Sequence, residues 1–162
     1  MTKVYLICGK ICTGKSYYTE KLATKTGAVV LSCDELSLTL FPKGLGDAHD
    51  EVLENVKIYF KKKSLELLSA GCDVILEWGF WKREDRAKIS EFYEENRVPY
   101  EWHYMEIADD IWEERIMGRN RKVEEALTRD YYVDEGLKMK CLSLFEAPDE
   151  AEKKALQMKC IR

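Results

Sequence analysis

Gly9-Lys10-Ile11-Cys12-Thr13-Gly14-Lys15-Ser16 follows directly on the apolar run Val4-Tyr5-Leu6-Ile7-Cys8. The stretch fits Gly-x-x-x-x-Gly-Lys-Ser without a mismatch, the pattern of a phosphate-binding loop. Its glycines let the backbone curl so that successive amides point inward at an anion. A helix starting near Lys15 adds its positive N-terminal end. Lys15 is then placed to reach the β- and γ-phosphates of a nucleoside triphosphate, and the Ser16 hydroxyl to ligate Mg2+. Gly9, Lys10, Cys12, Thr13, Gly14 and Tyr17 complete the stretch expected to contact the nucleotide. The flanks agree with this reading. A strand-like run precedes the loop, and Tyr18, Leu22 and Ala23 mark the inner face of a helix whose outer face carries Glu20, Lys21 and Lys25.

Beyond Gly27, strand-like and helix-like segments alternate. Ala28 to Leu31 reads as a second strand, followed by the polar cluster Ser32-Cys33-Asp34-Glu35 and a short helix ended by Pro42. Residues 43–47 read as a flexible connection. The longest helical pattern runs from His49 to Ala70, with the Lys61-Lys62-Lys63 run on its solvated side. Asp73 to Leu76 is a third strand, ending in Glu77-Trp78-Gly79-Phe80-Trp81. Lys82 to Asn96 is a helix with Ala87, Ile89, Phe92 and Tyr93 inward, and Val98 to Met105 a fourth strand. Asp109 or Asp110 is the expected cap of a helix running to about Asn120. A polar stretch reaches Arg129, Asp134 to Leu144 is helical, and a charged helix or tail follows Pro148. This alternation predicts an α/β fold with a parallel sheet covered on both faces. No repeat or linker marks a second domain, so residues 1–162 are expected to form one.

The chain has 46% apolar and 35% charged residues, the composition of an ordinary folded globule. A net charge of −4 gives no overall attraction for polyanions. Cys8, Cys12, Cys33, Cys72, Cys141 and Cys160 show no close metal or redox spacing, and are expected to be free thiols. Without a secretory signal or a membrane-length apolar run, the expected location is the cytoplasm.

Three features bear on the fate of a bound phosphate. Asp34 lies just past the second strand, where ligands bind in open α/β sheets. It is placed either to take the proton of an incoming hydroxyl or to cap the following helix. Glu77 ends the third strand, as a carboxylate that holds Mg2+ would, or one that hydrogen-bonds an acceptor. Arg115 and Arg119 are four residues apart on one helix face, with Arg121 just beyond; such guanidinium groups neutralise charge on a transferring phosphoryl group. Each arginine fits a solvated basic face equally well. Trp78, Phe80 and Trp81 are candidates for the wall of an acceptor pocket. His49 and His103 lack metal-ligand spacing and read as surface or structural residues. Tyr131, Tyr132 and Val133 are candidates for contact with the base.

In this order the motifs resemble the small P-loop kinases that include zeta toxins, chloramphenicol phosphotransferase and phage-type polynucleotide 5′-kinase domains. The likeness runs over about residues 3–148. It rests on Gly9–Ser16, Ser32-Cys33-Asp34-Glu35, Val74-Ile75-Leu76-Glu77, Trp112-Glu113-Glu114-Arg115 leading into Arg119-Asn120-Arg121, and Phe145-Glu146-Ala147-Pro148-Asp149-Glu150. The resemblance implies a P-loop NTPase fold of about 4–5 parallel strands, with an arginine-bearing lid over about residues 115–133. It implies an ATP-dependent kinase with Asp34 as base, Lys15, Arg115 and Arg119 on phosphates, Arg119 and Arg121 near the nucleotide, and Ser16 and Glu77 on Mg2+. Asp34, Glu77, Trp78 and Phe80 would meet the acceptor. The chain departs from the polynucleotide kinases at Ser37, where they carry Arg, and at Glu77-Trp78-Gly79, where they have Asp-Thr-Asn. With the net acidity, this favours a small hydroxylated acceptor over a polynucleotide 5′ end. An acceptor-less ATPase or nucleotide switch is the remaining reading.

Overall fold

A computed structural model of the chain describes residues 1–128 and 130–162. Val4–Cys8 forms β1, every residue of it buried, as an apolar run without alternation predicts for a strand covered on both faces. The remaining elements are α1 (Lys15–Thr26), β2 (Val29–Ser32), α2 (Cys33–Leu40), a short 3-10 turn at Gly46–Ala48, α3 (His49–Ser69) and β3 (Val74–Gly79). Then come α4 (Arg83–Glu95), β4 (Tyr100–Met105), α5 (Asp109–Glu124), α6 (Glu135–Leu144), α7 (Glu150–Ala155) and β5 (Lys159–Ile161). The strands make one parallel sheet in the order β2-β3-β1-β4-β5. Val4 pairs with both Val74 and Tyr100, so the loop that follows β1 leaves from the middle of the sheet.

Alternate residues of β1 divide the core between the two faces of the sheet. Val4, Leu6 and Cys8 pack with Leu68 of α3 and with Ile89 and Tyr93 of α4. Tyr5 and Ile7 pack with Tyr18, Leu22 and Ala23 of α1. A third cluster joins Cys12 of the loop to Trp112 and Ile116 of α5, Val133, and Cys141 of α6. Among the described residues no helix is long and apolar enough to cross a membrane.

The structure corrects several local expectations. On α4, Ala87 faces out, and the buried stripe is Arg86, Ile89, Ser90 and Tyr93. These positions are spaced i, i+3, i+4, i+7, but an apolarity criterion passes over an arginine and a serine. β3 continues through Trp78 to Gly79 instead of ending before the aromatic segment. The N-cap of α5 is Ala108, with no side-chain cap; Asp109 is instead paired with Lys10. After α7 the charged tail closes as β5 along β4, a three-residue strand too short to show a period. The expected polar stretch ending at Arg129 reaches one position outside the described residues.

Candidate active site

Backbone geometry of the loop accounts for its glycines. At Gly9 a Cβ would sit 3.0 Å from both Met105 Cβ and Thr13 Oγ1. Gly14 has φ +89°, a left-handed conformation that L side chains rarely adopt, and heads α1 as its N-cap. The amide of Gly9 donates to Gly79 O at 3.0 Å, which ties the loop to the end of β3. Lys15 Nζ donates to Lys10 O at 2.7 Å, and Thr13 Oγ1 to the same carbonyl at 3.0 Å.

α5 grips the outside of this loop at three points. Lys10 Nζ lies 3.1 Å from Asp109 Oδ1 and 3.9 Å from the centre of the Trp112 ring. The Trp112 indole donates to Ile11 O at 2.7 Å, and Arg115 Nη1 donates to Thr13 O at 2.7 Å. Arg115 therefore supports the loop's backbone. Trp112 and Asp109 were missed as site-forming residues. Their signal is the i, i+3, i+6 spacing of 109, 112 and 115 on one helix face.

Inside the loop's mouth, Ser16 Oγ donates to Glu77 Oε1 at 2.8 Å. Glu77 is buried; burial pushes its carboxyl up from the ordinary range, while the Ser16 hydrogen bond and Lys15 pull it down. Desolvation lowers the Lys15 ammonium from its ordinary value, opposed by the nearby charges of Asp34 and Glu77. Burial also raises the Cys12 thiol, opposed by Arg119 and Lys15. A hydroxyl beside a carboxylate is the hard oxygen pair that Mg2+ takes. Among the described residues no cluster of three His, Cys, Asp or Glu side chains could hold a metal ion alone.

Asp34 is free of the capping role, because Ser32 Oγ caps α2 by accepting from the Glu35 amide at 3.3 Å. The Asp34 side chain instead lines a cleft of about 790 Å³ together with Lys15, Trp78, Trp81, Arg119 and Tyr131. Phe80 borders the same cleft, but it is 2% exposed and its ring packs edge-on against Trp102 at 5.0 Å. It supports the wall more than it faces the opening. Arg121 is exposed and is not part of the lining; Tyr17 is 64% exposed, with Lys21 Nζ 4.3 Å from its ring centre. Among the base candidates, Val133 is buried and bonded to Asn120, while Tyr131 meets His49 edge-on at 6.3 Å. Tyr132 is 48% exposed. His103 is buried between Tyr18 Oη at 2.8 Å and Glu101 Oε1 at 2.6 Å, a structural position.

The far side of the cleft rests on a pair absent from the sequence reading. Arg86 of α4 is fully buried and holds Glu152 of α7 through two hydrogen bonds, 2.6 and 2.9 Å long. Its Nη1 also donates to Phe80 O at 2.9 Å and Trp81 O at 3.2 Å, which fixes the turn after β3.

A family model described as AAA domain matches residues 4–137. The search of curated proteins finds no match. Among solved structures, a sugar kinase from Janibacter sp. HTCC2649 superposes with a TM-score of 0.64 at 15% identity, covering 99% of this chain and 85% of its own. A gluconokinase from Sinorhizobium meliloti 1021 gives 0.63 at 16% identity, with 98% and 81% covered. A chain of the Pnkp1/Rnl/Hen1 RNA repair complex gives 0.69 at 16% identity, covering 88% of this chain and 43% of that one. At these identities the likeness is one of fold, the P-loop kinase fold.

Proposed function

This chain belongs to the AAA domain family of P-loop kinase-like proteins, and on that premise we propose that it transfers the γ-phosphoryl group of ATP to a hydroxyl of a small molecule. One observation carries the reading: Lys15, Arg119 and Asp34 line a single cleft. Phosphate-binding cations and an uncommitted carboxylate thus share one space, which is what in-line transfer needs. The acceptor oxygen attacks Pγ, the bond from Pγ to the bridging oxygen of the β-phosphate breaks, and ADP leaves. Asp34 takes the proton of the attacking hydroxyl. Lys15 and Arg119 offset the charge that develops on the transferred group. Arg115 acts at one remove, by holding the loop at Thr13. Mg2+, held by Ser16 and Glu77 together with phosphate oxygens, would neutralise charge on the β- and γ-phosphates.

The proposed unit is one domain, with the lid expected over about residues 115–133 anchored to the loop at its start by Arg115. Six free cysteines, four of them buried, are among the described residues, and the proposed setting is a reducing compartment. The Asp34→Asn variant tests the central claim. It is expected to lower kcat by ~10²-fold or more, the scale of general-base catalysis, with ATP affinity within about twofold of wild type. Unchanged turnover would remove Asp34 from the reaction.

A further inference from the structure

Resting on the kinase reading above, we propose that the acceptor is an uncharged polyhydroxylated molecule, bound by the Glu54–Lys57 pair of α3 and the Glu84–Lys88 pair of α4 beside Trp78 and Trp81. All six side chains line the cleft that contains Asp34. Lys57 Nζ lies 2.7 Å from Glu54 Oε1, one helical turn apart, and Lys88 Nζ lies 2.5 Å from Glu84 Oε1. Lys88 is held above the ordinary amine range by its hydrogen bond to Glu84, with weaker help from Asp85 and Glu54. Glu54 belongs to α3, so the charges of the two helices act on one another.

Away from the phosphate loop and Arg119, the lining holds five carboxylates (Asp34, Asp50, Glu54, Glu84 and Asp85) against four lysines. Three of those lysines already face an acid, since Lys140 of α6 meets Asp50 at 3.3 Å. A sugar acid, a sugar phosphate or a polynucleotide would enter a region of net charge −1 in which only Lys82 lacks an acid partner among the described residues. That is the reverse of the basic surface such ligands draw on. Alternating carboxylates and ammonium groups suit vicinal hydroxyls instead. Each hydroxyl both gives and accepts a hydrogen bond, and hydrogen bonds to charged partners are the strong ones. Trp78 and Trp81 are both half-buried, leaving indole surface to cover the apolar face of a ring.

The test measures ADP release by purified protein with ATP and Mg2+ at 150 mM salt against three acceptor panels. These are neutral sugars and alditols, sugar acids and sugar phosphates, and 5′-hydroxyl oligonucleotides. A neutral acceptor is expected to give kcat/KM at least tenfold above the best anionic one. Releasing both lysines by Glu54→Gln with Glu84→Gln is expected to shift the ratio toward sugar acids at least tenfold, with KM for ATP unchanged. Calorimetry with ATP and the thermal midpoint establish that this variant is folded. An anionic acceptor preferred by the wild type, or a ratio unmoved in the double variant, overturns the inference and leaves the kinase reading standing. ATP binding without transfer to any panel removes both, and transfer confined to oligonucleotides retains a kinase of the other acceptor class.

Discussion

Replacing Arg86 with Met isolates what the buried ion pair contributes. The guanidinium is 0% exposed and makes four hydrogen bonds: two to Glu152, one to Phe80 O and one to Trp81 O. Methionine fills most of the volume but strands a carboxylate that is 5% exposed. Removing one partner of such a pair costs about 3–5 kcal/mol, chiefly from the charge left without a counterion. Arg83 Nε, 3.9 Å from Glu152 Oε2, offers partial relief, which favours the lower end. With roughly 2–4 °C lost per kcal/mol in a chain of this size, the midpoint should fall by about 6–12 °C. Circular dichroism melts read this directly. The double variant Arg86→Met with Glu152→Met removes the stranded charge but still lacks the donor to Phe80 O and Trp81 O, so it should regain part of the loss, ending about 1–3 kcal/mol below wild type. A single variant that loses less than about 3 °C, or a double variant no better than the single, would show that an unpaired Glu152 carboxylate is not the main cost.

Gly14→Ala forces a Cβ onto a residue at φ +89° and places it 3.2 Å from Arg115 Nη1. The left-handed penalty alone is about 1–2 kcal/mol, so titration calorimetry should show ATP binding weakened by about tenfold; equal affinity would mean the loop does not need this geometry. Trp112→Phe keeps the ring but removes the indole donor to Ile11 O, and nucleotide affinity should fall by about 2–10-fold, the worth of one neutral hydrogen bond. For Glu101, burial pushes the carboxyl up, but hydrogen bonds from Lys159, His103 and Lys3 outweigh it and hold the group at about 2. Its unfolded value is about 4.3, so its stabilisation is complete above that pH and is lost as pH falls toward 2. The difference in unfolding free energy between wild type and Glu101→Gln should shrink over that window, and a constant difference would contradict the assignment.

The sheet, its parallel sense and the loop were legible because they rest on local and strong signals. An apolar run with no alternation demands a strand covered on both sides, and Gly-x-x-x-x-Gly-Lys-Ser demands an anion at a helix start. Which of Ser32 and Asp34 caps α2 could not be read from residue type, because the capping bond is a contest between neighbours that Ser32 wins. What stayed hidden were contacts across long separations. Arg86 finds Glu152 across 66 residues, and Trp112 finds Ile11 across 101. Periodicity weighs apolar side chains, so a buried arginine registers as an error in the pattern. Phe80 was legible as an aromatic near a cleft, but whether its ring faces the opening or the core depends on Trp102, which comes from another strand.

α5 brings these threads together. At about 100° per residue, Asp109, Trp112, Arg115, Ile116 and Arg119 fall within about 120° of one face, and span roughly 15 Å along the axis. The first two turns hold Lys10, Ile11 and Thr13 of the loop, and the third carries Arg119 into the cleft. The helix runs unbroken through Glu124, so Arg119 cannot swing at Arg115 without bending an intact hydrogen-bonded ladder. A shift of the whole helix would drag the loop's carbonyls with it. The distance between Arg119 and Lys15 is thus set by the same side chains that shape the loop.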